Sequence, residues 1–377
     1  MSGAFDVAVI GAGVVGLAHA YLAAKAGYRV VVFDRDHQAN GASVRNFGFV
    51  TVTGQGVDQT WDRARRSRRH WAEVAEAASI PVCHRGLAML AHSPLAKTVL
   101  QEFLAHPMAE GCELLDPDAL RARLPQAIDP ALTAALWSPH ELRVDSPTAI
   151  PRFAAWLAER WGVTFLRPVA VTGIGRNRVL HAGGEVPARH VIVCAGHDYR
   201  TLYPEVFERF APQECKLQML RLTDPGWRLP AAVMSDLGLV RYRGYRVAPS
   251  QPALAGALAQ TAAAELAAGI HLIVVQNQDG SLVVGDSHAY APTVDDMADE
   301  AVDDLILTLA HRTLDLRQSR VLNRWVGVYG SATVDALVER VDERIAVVAV
   351  TSGTGASTAF GLAEEALAKI KLAPPVG

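Results

Sequence analysis

Phe5-Asp-Val-Ala-Val-Ile-Gly-Ala-Gly-Val-Val-Gly16, continued by Tyr28-Arg-Val-Val-Val-Phe-Asp34, decides the fold of this chain. An apolar run of strand length ends at three glycines, and a segment rich in Ala and Leu follows. A second apolar run then ends at an acidic residue. The pattern predicts strand, tight turn, helix and strand, which is the dinucleotide-binding βαβ unit.

The three glycines and the acid each have a part in such a unit. Gly11 permits the turn, Gly13 lets the backbone approach a pyrophosphate, and Gly16 lets the helix pack closely on the strand. The helix N-terminus offers free N–H groups and a positive dipole end to the phosphates. Asp34 is placed to hold a ribose hydroxyl, which favours NAD or FAD over NADP and does not choose between them. A turn without a ligand is the alternative, and the correct order of strand, helix and acid argues against it.

Length and charge are those of an ordinary globular protein. With 377 residues the chain can bury a large core, and chains of this length usually form two domains. The formal charge of −3, from 36 basic and 39 acidic residues, provides no broad basic surface for nucleic acid. The arginine-rich segment 57–78 is therefore predicted as a helix with a solvated face and not as a nucleic-acid site.

The cysteines are scattered at positions 83, 112, 194 and 215, with no CxxC pair and no spacing typical of zinc ligands. We therefore expect no metal site and a reduced, cytoplasmic setting. The chain shows no basic leader, and no apolar run approaches the roughly 18 residues needed to span a bilayer. We expect neither targeting nor membrane contact.

A polar, glycine-punctuated loop from Arg35 to Val50 follows the second strand. In a nucleotide-binding protein this loop emerges beside the first turn and is well placed to wrap the cofactor. Ser43, Arg45 and Asn46 offer a hydroxyl, a guanidinium and an amide to phosphate and ribityl groups. A solvated surface loop is the alternative interpretation.

Two more strands are predicted to end at glycines near the cofactor. Residues 186–196 form an apolar strand that ends at Gly196, for which simple strand termination is the alternative. Residues 344–358 again indicate a strand and a glycine-rich turn, followed by a helix to about residue 372. This turn has no acid equivalent to Asp34, so we expect it to hold no second nucleotide; if the cofactor is a flavin, its amides can face the ring, where negative charge develops on reduction.

The middle of the chain is β-rich and antiparallel, with a hairpin predicted at Asp279-Gly280. We predict an α/β fold with a Rossmann-like cofactor domain and an α+β second domain. The boundaries assign residues 1–82, 146–212 and 331–377 to the cofactor domain, and residues 83–145 and 213–330 to an interleaved, mixed or antiparallel substrate domain.

In these blocks the chain resembles the glycine oxidase, sarcosine oxidase and D-amino-acid oxidase family of FAD enzymes. The likeness covers essentially the whole chain and includes Trp325-Val-Gly-Val-Tyr329 and the turn 353–358, in family order. It implies FAD bound in extended form, as in glutathione-reductase-type domains, under a mixed sheet that covers the flavin. It also implies hydride transfer from an amine-bearing carbon to flavin N5, giving an imine that water hydrolyses. The implied FAD-binding residues are Gly11, Gly13, Gly16, Asp34, Arg35, Ser43, Arg45, Asn46, Val169, Gly196, Gly353, Thr354, Gly355, Ala356, Ser357 and Thr358.

Two departures from the family pattern bear on the chemistry. Amino-acid oxidases of the family commonly carry an arginine that clamps the substrate carboxylate where this chain has Tyr329, which puts a standard amino acid in doubt. No cysteine follows Cys215, so the C-terminal cysteine linkage to flavin of the sarcosine oxidases cannot form and FAD is expected to be non-covalent.

Residues 45–48, 269–277, 285–288 and 324–325 resemble more closely a subgroup associated with aminophosphonate breakdown. This implies substrates of the 2-aminoethylphosphonate type, including N-methylated forms. A phosphonate dianion requires several cations or hydroxyls. The candidates in the substrate domain are Arg241, Tyr242, Arg243, Tyr245, His288, Tyr290 and Tyr329. For each arginine a surface position is the alternative, and for His288 a structural one.

Lys216, Tyr329 and His288 form the predicted catalytic set. Lys216 lies on a strand resembling one that passes near the flavin, where it would promote reaction with oxygen; an edge-strand lysine is the alternative. Oxygen or another acceptor would reoxidise the flavin, and the number of subunits stays open. The alternative functions are glycine, sarcosine or D-amino-acid oxidation, an NAD-linked dehydrogenase and a tRNA-modifying flavoprotein.

Overall fold

The structure, a computed structural model, describes residues 4–370 and residue 372. The described strands are β1 (Phe5–Ile10), β2 (Val30–Phe33), β3 (Phe49–Val50), β4 (Val82–Ala91), β5 (Glu113–Leu115), β6 (Ala134–Val144), β7 (Thr164–Leu166), β8 (Val171–Gly175), β9 (Arg178–His181), β10 (Gly184–Val193), β11 (Gln213–Leu222), β12 (Ala232–Met234), β13 (Ile273–Gln276), β14 (Leu282–Gly285), β15 (Ala289–Ala291), β16 (Val321–Arg340) and β17 (Ile345–Ser352). The described α-helices are α1 (Val14–Lys25), α2 (Gln59–Ala77), α3 (Pro94–Leu104), α4 (Pro117–Arg123), α5 (Ser146–Trp161), α6 (Pro204–Glu208), α7 (Leu237–Arg241), α8 (Gln251–Thr261), α9 (Ala263–Ala267), α10 (Glu300–Thr313) and α11 (Gly355–Ile370). Two 3₁₀ helices span Pro107–Ala109 and Arg243–Val247.

The N-terminal βαβ unit belongs to a parallel sheet with strand order β7, β2, β1, β10, β17. Its central strands are covered by other elements on both faces, which explains their continuous apolar sequences. Ile10 lies opposite Phe33 on one side and Val193 on the other, so three strands end together at one edge of the sheet. In such open sheets ligands bind outside the carboxyl ends of the strands.

Two glycines make the tight junction between β1 and α1 possible. A Cβ atom at Gly16 would lie 1.9 Å from the carbonyl oxygen of Gly11, and one at Gly11 would lie 2.3 Å from that of Cys194. Gly11 also has a φ of +104°, which side-chain-bearing residues rarely adopt. The helix can therefore approach the sheet closely only with glycine at both positions.

The strands β4, β6, β11, β12, β14, β15 and the first half of β16 form a second unit, which is mainly antiparallel. β11 pairs with β14, β15 and the first half of β16, while β4 pairs with β6 and, in parallel, with β12. The second half of β16 pairs with β17 of the parallel sheet. This long strand therefore runs from one unit into the other.

The hydrophobic cores follow the domain division that we propose from the sequence. Apart from Phe47 and Phe49, the buried members of the largest core fall within residues 87–136 and 215–316. The other two cores are built from residues 7–80, 142–207 and 337–370. The core residues thus fall in the same segments as the predicted domains, apart from Phe47, Phe49, Leu142 and Val144, and the boundaries stay a prediction.

Some predicted elements differ from the structure in extent. The sequence also predicts a helix over 293–312, but in the structure it begins only at Glu300, where Asp299 caps it by accepting a hydrogen bond from the Ala301 amide. The sequence further predicts one strand over 281–288, whereas β14 stops at Gly285 and β15 starts after a short break. Among the described residues, every helix falls short of the length and apolar character required for a membrane crossing.

Candidate functional site

A cavity of about 470 Å³ lies at the carboxyl edge of the parallel sheet, beneath the second unit. It is lined by residues 13–15 of the first glycine turn and residues 353–357 of the last one. A Cβ atom at Gly355 would lie 3.7 Å from Cγ1 of Val14, so the two turns are neighbours. The two ends of the chain converge at one cavity, as the sequence predicts.

A second cavity of about 260 Å³ continues the first toward Asp34. Its lining includes Gly11, Arg35 and Val169, and it shares Ser43 and Gly196 with the larger cavity. Together the two form an elongated space that begins at the acid after β2 and ends at the turn before α11. The shape fits a dinucleotide in extended conformation, with its diphosphate beside the N-terminus of α1.

Asp34 and Ser43 shape the first turn. Asp34 accepts hydrogen bonds from the amides of Ala12, at 2.7 Å, and Asp36, at 2.9 Å. Ser43 Oγ accepts one from the amide of Val14, at 2.9 Å, in the first turn of α1. The predicted cofactor loop is therefore docked on the helix N-terminus, where a phosphate would bind.

Arg45 and Asn46 have different positions in this loop. Arg45 lines the larger cavity and donates from Nη1 to the carbonyl oxygen of Val326, at 3.4 Å. Asn46 also lines it, but its amide oxygen accepts from the Gly48 amide and from Ser146 Oγ. Asn46 thus holds the loop in shape, while Arg45 ties the loop to β16.

Three of the predicted cofactor residues lie at the margin of this space. Arg35 lines the smaller cavity and pairs with Asp198 at 3.5 Å. Gly16 is covered by the turn, and Thr358 is buried in α11 with Oγ1 donating to the carbonyl oxygen of Thr354. We expect Gly16 and Thr358 to act on the shape of the turns and not by touching a ligand.

The end of the larger cavity under the second unit is lined by polar side chains. Arg241 at the end of α7 donates from Nη2 to the hydroxyl of Tyr290, at 2.8 Å, and its guanidinium faces the cavity. Partial desolvation opposes the charge of Arg241, a residue that keeps an exposed surface, but the oxygens of Tyr290, Tyr329 and Asp286 outweigh it and raise the pKa of the guanidinium. A permanent positive charge therefore faces the cavity.

Asp286 and two histidines lie beside this arginine. Burial raises the pKa of Asp286 to about 7, although Arg241 opposes the shift. Burial also lowers the pKa of His288 to about 3, and lowers that of His271 well below its usual value. Both imidazoles are therefore neutral near pH 7.

Most of the predicted substrate residues line this end of the cavity. The residues found there are Arg241, Tyr242, Arg243, His288, Tyr290 and Tyr329. Arg243 stands at the rim, paired with Asp58 at 2.9 Å and also with Asp335. Because two carboxylates already engage it, we expect Arg243 to contribute less to anion binding than Arg241.

The structure corrects the prediction for Tyr245. This residue is fully buried outside the cavity lining and packs on Phe103, with ring centroids 4.7 Å apart. Its side chain also meets Gly54, at which a Cβ atom would lie 2.7 Å from the tyrosine ring. Tyr245 therefore belongs to the core and supports the loop that follows β3.

The structure also corrects the prediction for Lys216. Lys216 pairs with Val328 in the β11–β16 ladder, whereas its neighbour Cys215 pairs with Tyr329. Since successive side chains of a strand point to opposite faces, Lys216 leaves the sheet on the side away from Tyr329. Its ammonium group binds Asp295, at 2.8 Å, and the carbonyl oxygen of Met297, at 3.0 Å. Lys216 is outside the cavity lining and is not placed for catalysis.

His271 and Asp286 were not singled out from the sequence. The Asp279-Gly280 hairpin places Ile273 opposite Gly285, and continuing this register brings His271 beside residues 286–288. The hairpin was predicted, so counting its register outward from the turn would have revealed the pair. No local sequence motif around His271 or Asp286 indicates that either residue belongs to the site.

Comparison with solved structures finds the same fold in several oxidoreductases. Glycine oxidase from Bacillus cereus ATCC 14579 matches with a TM-score of 0.77 at 17% identity, over 97% of this chain and 95% of the other. L-proline dehydrogenase from P. horikoshii matches with a TM-score of 0.79 at 18% identity, over 99% and 95%. L-α-glycerophosphate oxidase from Mycoplasma pneumoniae, solved with FAD bound, matches with a TM-score of 0.76 at 16% identity, over 100% and 96%. The predicted fold class is thereby confirmed.

Sequence comparison gives the family. A search of curated protein sequences finds no match. Residues 6–369 match the family model described as "DAO: FAD dependent oxidoreductase". The match selects FAD over NAD, the choice that the glycine motif and Asp34 left open. Spanning nearly the whole chain, from the strand before the first glycine turn to the helix after the last one, it shows that the protein belongs to the DAO family of FAD-dependent oxidoreductases.

Proposed function

We propose that this FAD-dependent oxidoreductase oxidises the C–N bond of a small anionic amine, with 2-aminoethylphosphonate and its N-methyl derivative as the candidate substrates. The observation that carries the proposal is the cavity-facing guanidinium of Arg241, held by Tyr290 next to Tyr329. FAD supplies the two-electron oxidation when bound, so the chain itself has to bind, orient and shield the amine. The family assignment provides the chemistry, and the cavity provides the selectivity.

Arg241 supplies a cation for the substrate anion, which Tyr329, standing where amino-acid oxidases of the family commonly have an arginine, does not supply. A guanidinium is well suited to bind phosphonate or carboxylate oxygens through two parallel hydrogen bonds. The hydroxyls of Tyr290 and Tyr329 stand beside it and can donate to further oxygens of a tetrahedral group. A phosphonate has three oxygens that accept hydrogen bonds, and Arg241, Tyr290 and Tyr329 together can donate to all three. A planar carboxylate has only two oxygens and uses this set of donors less fully.

The remainder of the cavity suits the amine. Asp286, with its side chain 8% exposed, faces the same space and keeps this end of the cavity polar. On the sheet side the lining is apolar and includes Leu217, Ile273 and Val348. Such a lining excludes water from the reacting carbon.

Glycine, sarcosine or D-amino-acid oxidation is the second candidate. It is favoured because Arg241 also fits a carboxylate, and because solved glycine oxidases share the fold. Oxygen or another electron acceptor would complete either reaction. The two candidates differ in the size and charge of the anion that Arg241 receives.

An anaerobic reduction screen distinguishes the candidates. The purified flavoprotein is mixed with glycine, sarcosine, D-alanine, 2-aminoethylphosphonate or N-methyl-2-aminoethylphosphonate, and loss of flavin absorbance is followed. We expect rapid bleaching with one or both aminophosphonates and slow bleaching with the amino acids. Bleaching by the amino acids alone would overturn the proposal in favour of the second candidate. Admitting air afterwards shows whether oxygen reoxidises the flavin.

A further inference from the structure

Three potential metal ligands converge at the substrate end of the cavity. His271 Nδ1 lies 3.3 Å from Asp286 Oδ1, and His288 Nε2 lies 3.7 Å from Asp286 Oδ2. One ligand atom from each of the three residues falls within 4.8 Å of the others. Two ligands about 2.1 Å from a tetrahedral ion lie about 3.4 Å from each other, so the observed spacing suits a shared ion.

Hydrogen bonds orient His288 for this role. Its Nδ1 lies 2.8 Å from the carbonyl oxygen of Gly269, which can only accept, so Nδ1 carries the proton and donates. The lone pair of a neutral ring is then on Nε2, the atom that faces Asp286. Metal-binding histidines usually donate their other N–H to a carbonyl or carboxylate in this way.

Two of the facing atoms lack a hydrogen-bond partner. His271 Nδ1 and Asp286 Oδ1 are buried and accept or donate no hydrogen bond within the described chain. The His288 Nε2 lone pair faces Asp286 Oδ2, an oxygen that is itself an acceptor when the carboxylate is ionised. Either a proton on the carboxyl group or a metal cation must therefore lie between them.

We propose that His271, Asp286 and His288 bind a divalent metal ion, with Zn²⁺ as the preferred occupant and an open coordination position toward the cavity. Two imidazoles and one carboxylate form a donor set that zinc accepts when a fourth position is left to water or substrate. Zinc is also redox-inert, so it does not compete with the flavin for electrons. The sequence predicted no metal site because its cysteines lack zinc spacing, but none of these ligands is a cysteine.

The charges indicate what the open position receives, an inference that rests on the proposed function. As metal ligands, the histidines are neutral and Asp286 is ionised, so Asp286 and Arg241 cancel each other. Without the ion, a phosphonate dianion with a neutral amine would leave this part of the cavity negative. A divalent cation restores neutrality and offers the phosphonate a second electrophilic partner beside Arg241. The metal thus positions the phosphonate group, and the reacting carbon remains free to face the flavin.

The test measures metal content on the intact flavoprotein. The protein is dialysed against a chelator, incubated with Zn²⁺, desalted and assayed for zinc and flavin by elemental analysis and absorbance. We expect zinc stoichiometric with the wild-type chain, and a loss of zinc affinity of more than about 100-fold in Asp286→Asn and in His288→Gln. Flavin content shows whether each variant is folded.

His92→Asn is the matched control. His92 is also enclosed, with Nδ1 3.2 Å from Asp236 and Nε2 3.8 Å from Asp129, but its carboxylates lie on opposite sides of the ring. This variant should retain wild-type zinc affinity. Equal zinc binding in wild type and Asp286→Asn would overturn the proposal, as would loss in His92→Asn alone.

A second measurement separates the metal site from the proposed function. Methylphosphonate is titrated into the zinc-loaded and zinc-free flavoprotein, and the shift of the flavin spectrum gives the dissociation constant. Weaker binding by about 10-fold or more without zinc supports metal-assisted anion binding. Identical constants would overturn that role. Stoichiometric zinc with no reduction by any aminophosphonate would leave the metal site standing while the proposed substrate failed.

Discussion

Arg63 on α2 donates hydrogen bonds from Nε and Nη2 to the two carboxylate oxygens of Glu365 on α11, at 3.0 and 2.6 Å. Arg66, one turn further along α2, donates to Glu364 and Glu365 at 2.5 and 2.7 Å. These bonds fasten two helices that are far apart in sequence. Because α11 begins at the glycine turn of the cavity, the same bonds stabilise one wall of the cofactor site.

Replacement of Glu365 by Gln should lower the free energy of unfolding by about 1–3 kcal/mol, since Arg63 and Arg66 lose a charged acceptor. The group is partly exposed, so the effect should fall short of that for a fully buried pair. Urea unfolding near neutral pH measures it. Glu73→Gln is the control, because Glu73 pairs with Lys25 on the surface, and it should change stability little.

The stabilisation by Glu365 should depend on pH. Burial alone would raise the pKa of this carboxyl group, but hydrogen bonds from Arg63 and Arg66 outweigh burial and lower the pKa below 4.5. A lowered folded-state pKa means that the contribution is fully present above about pH 4.5 and is lost as the pH falls through the lowered value. The stability difference between wild type and Glu365→Gln should therefore shrink in acid. A difference that stays constant from neutral pH to below about pH 4 would contradict this explanation.

Gly16→Ala should prevent flavin binding or folding. The added Cβ would lie 1.9 Å from the carbonyl oxygen of Gly11, a backbone atom that cannot move without opening the turn. Flavin retained after purification and the thermal unfolding temperature measure the effect. Gly256→Ala is the control, since nothing lies within 4 Å of its Cβ position in α8 and alanine favours a helix. A Gly16→Ala protein with full flavin content would show that the close packing at this turn is not required.

The parts of the fold that were predictable are those with a local cause. The first turn follows from glycines whose missing side chains are physically required, and the parallel strands follow from runs that are apolar on both faces. The convergence of the two glycine turns was also predictable, because strands of a parallel sheet end at the same edge. Each of these features is fixed by a few neighbouring residues.

The parts of the site that were missed depend on strand parity and register. The path of its strand predicts Lys216 in the site, but the alternation of side chains directs it to the opposite face. Its hydroxyl makes Tyr245 a predicted substrate residue, but its ring packs against Phe103 and Gly54 in the core. His271 and Asp286 become neighbours only once two strands are paired, so composition alone does not bring them together.

Arg241→Gln should weaken binding of methylphosphonate by about 10- to 100-fold, because the loss of one hydrogen bond from a charged donor changes the dissociation constant by that factor. A titration followed by flavin absorbance gives the dissociation constant. Arg243→Gln should change it far less, because Asp58 and Asp335 already neutralise that side chain at the rim. Equal losses in the two variants would indicate a diffuse electrostatic effect in place of a specific contact.

Lys216→Met should leave the flavin spectrum unchanged and reoxidation by oxygen, or by the acceptor found in the reduction screen, within about two-fold of wild type. The ammonium group is engaged by Asp295 and by the carbonyl oxygen of Met297, on the face of β11 away from the cavity. Leu217→Ala, one residue further, should shift the flavin spectrum because Leu217 lines the cavity. Stopped-flow mixing of the reduced proteins with acceptor gives both rates. Successive side chains of one strand point to opposite faces, so Lys216 and Leu217 cannot both face the flavin. If Lys216→Met slowed reoxidation by orders of magnitude while Leu217→Ala did not, the orientation of β11 relative to the flavin would be opposite to that described.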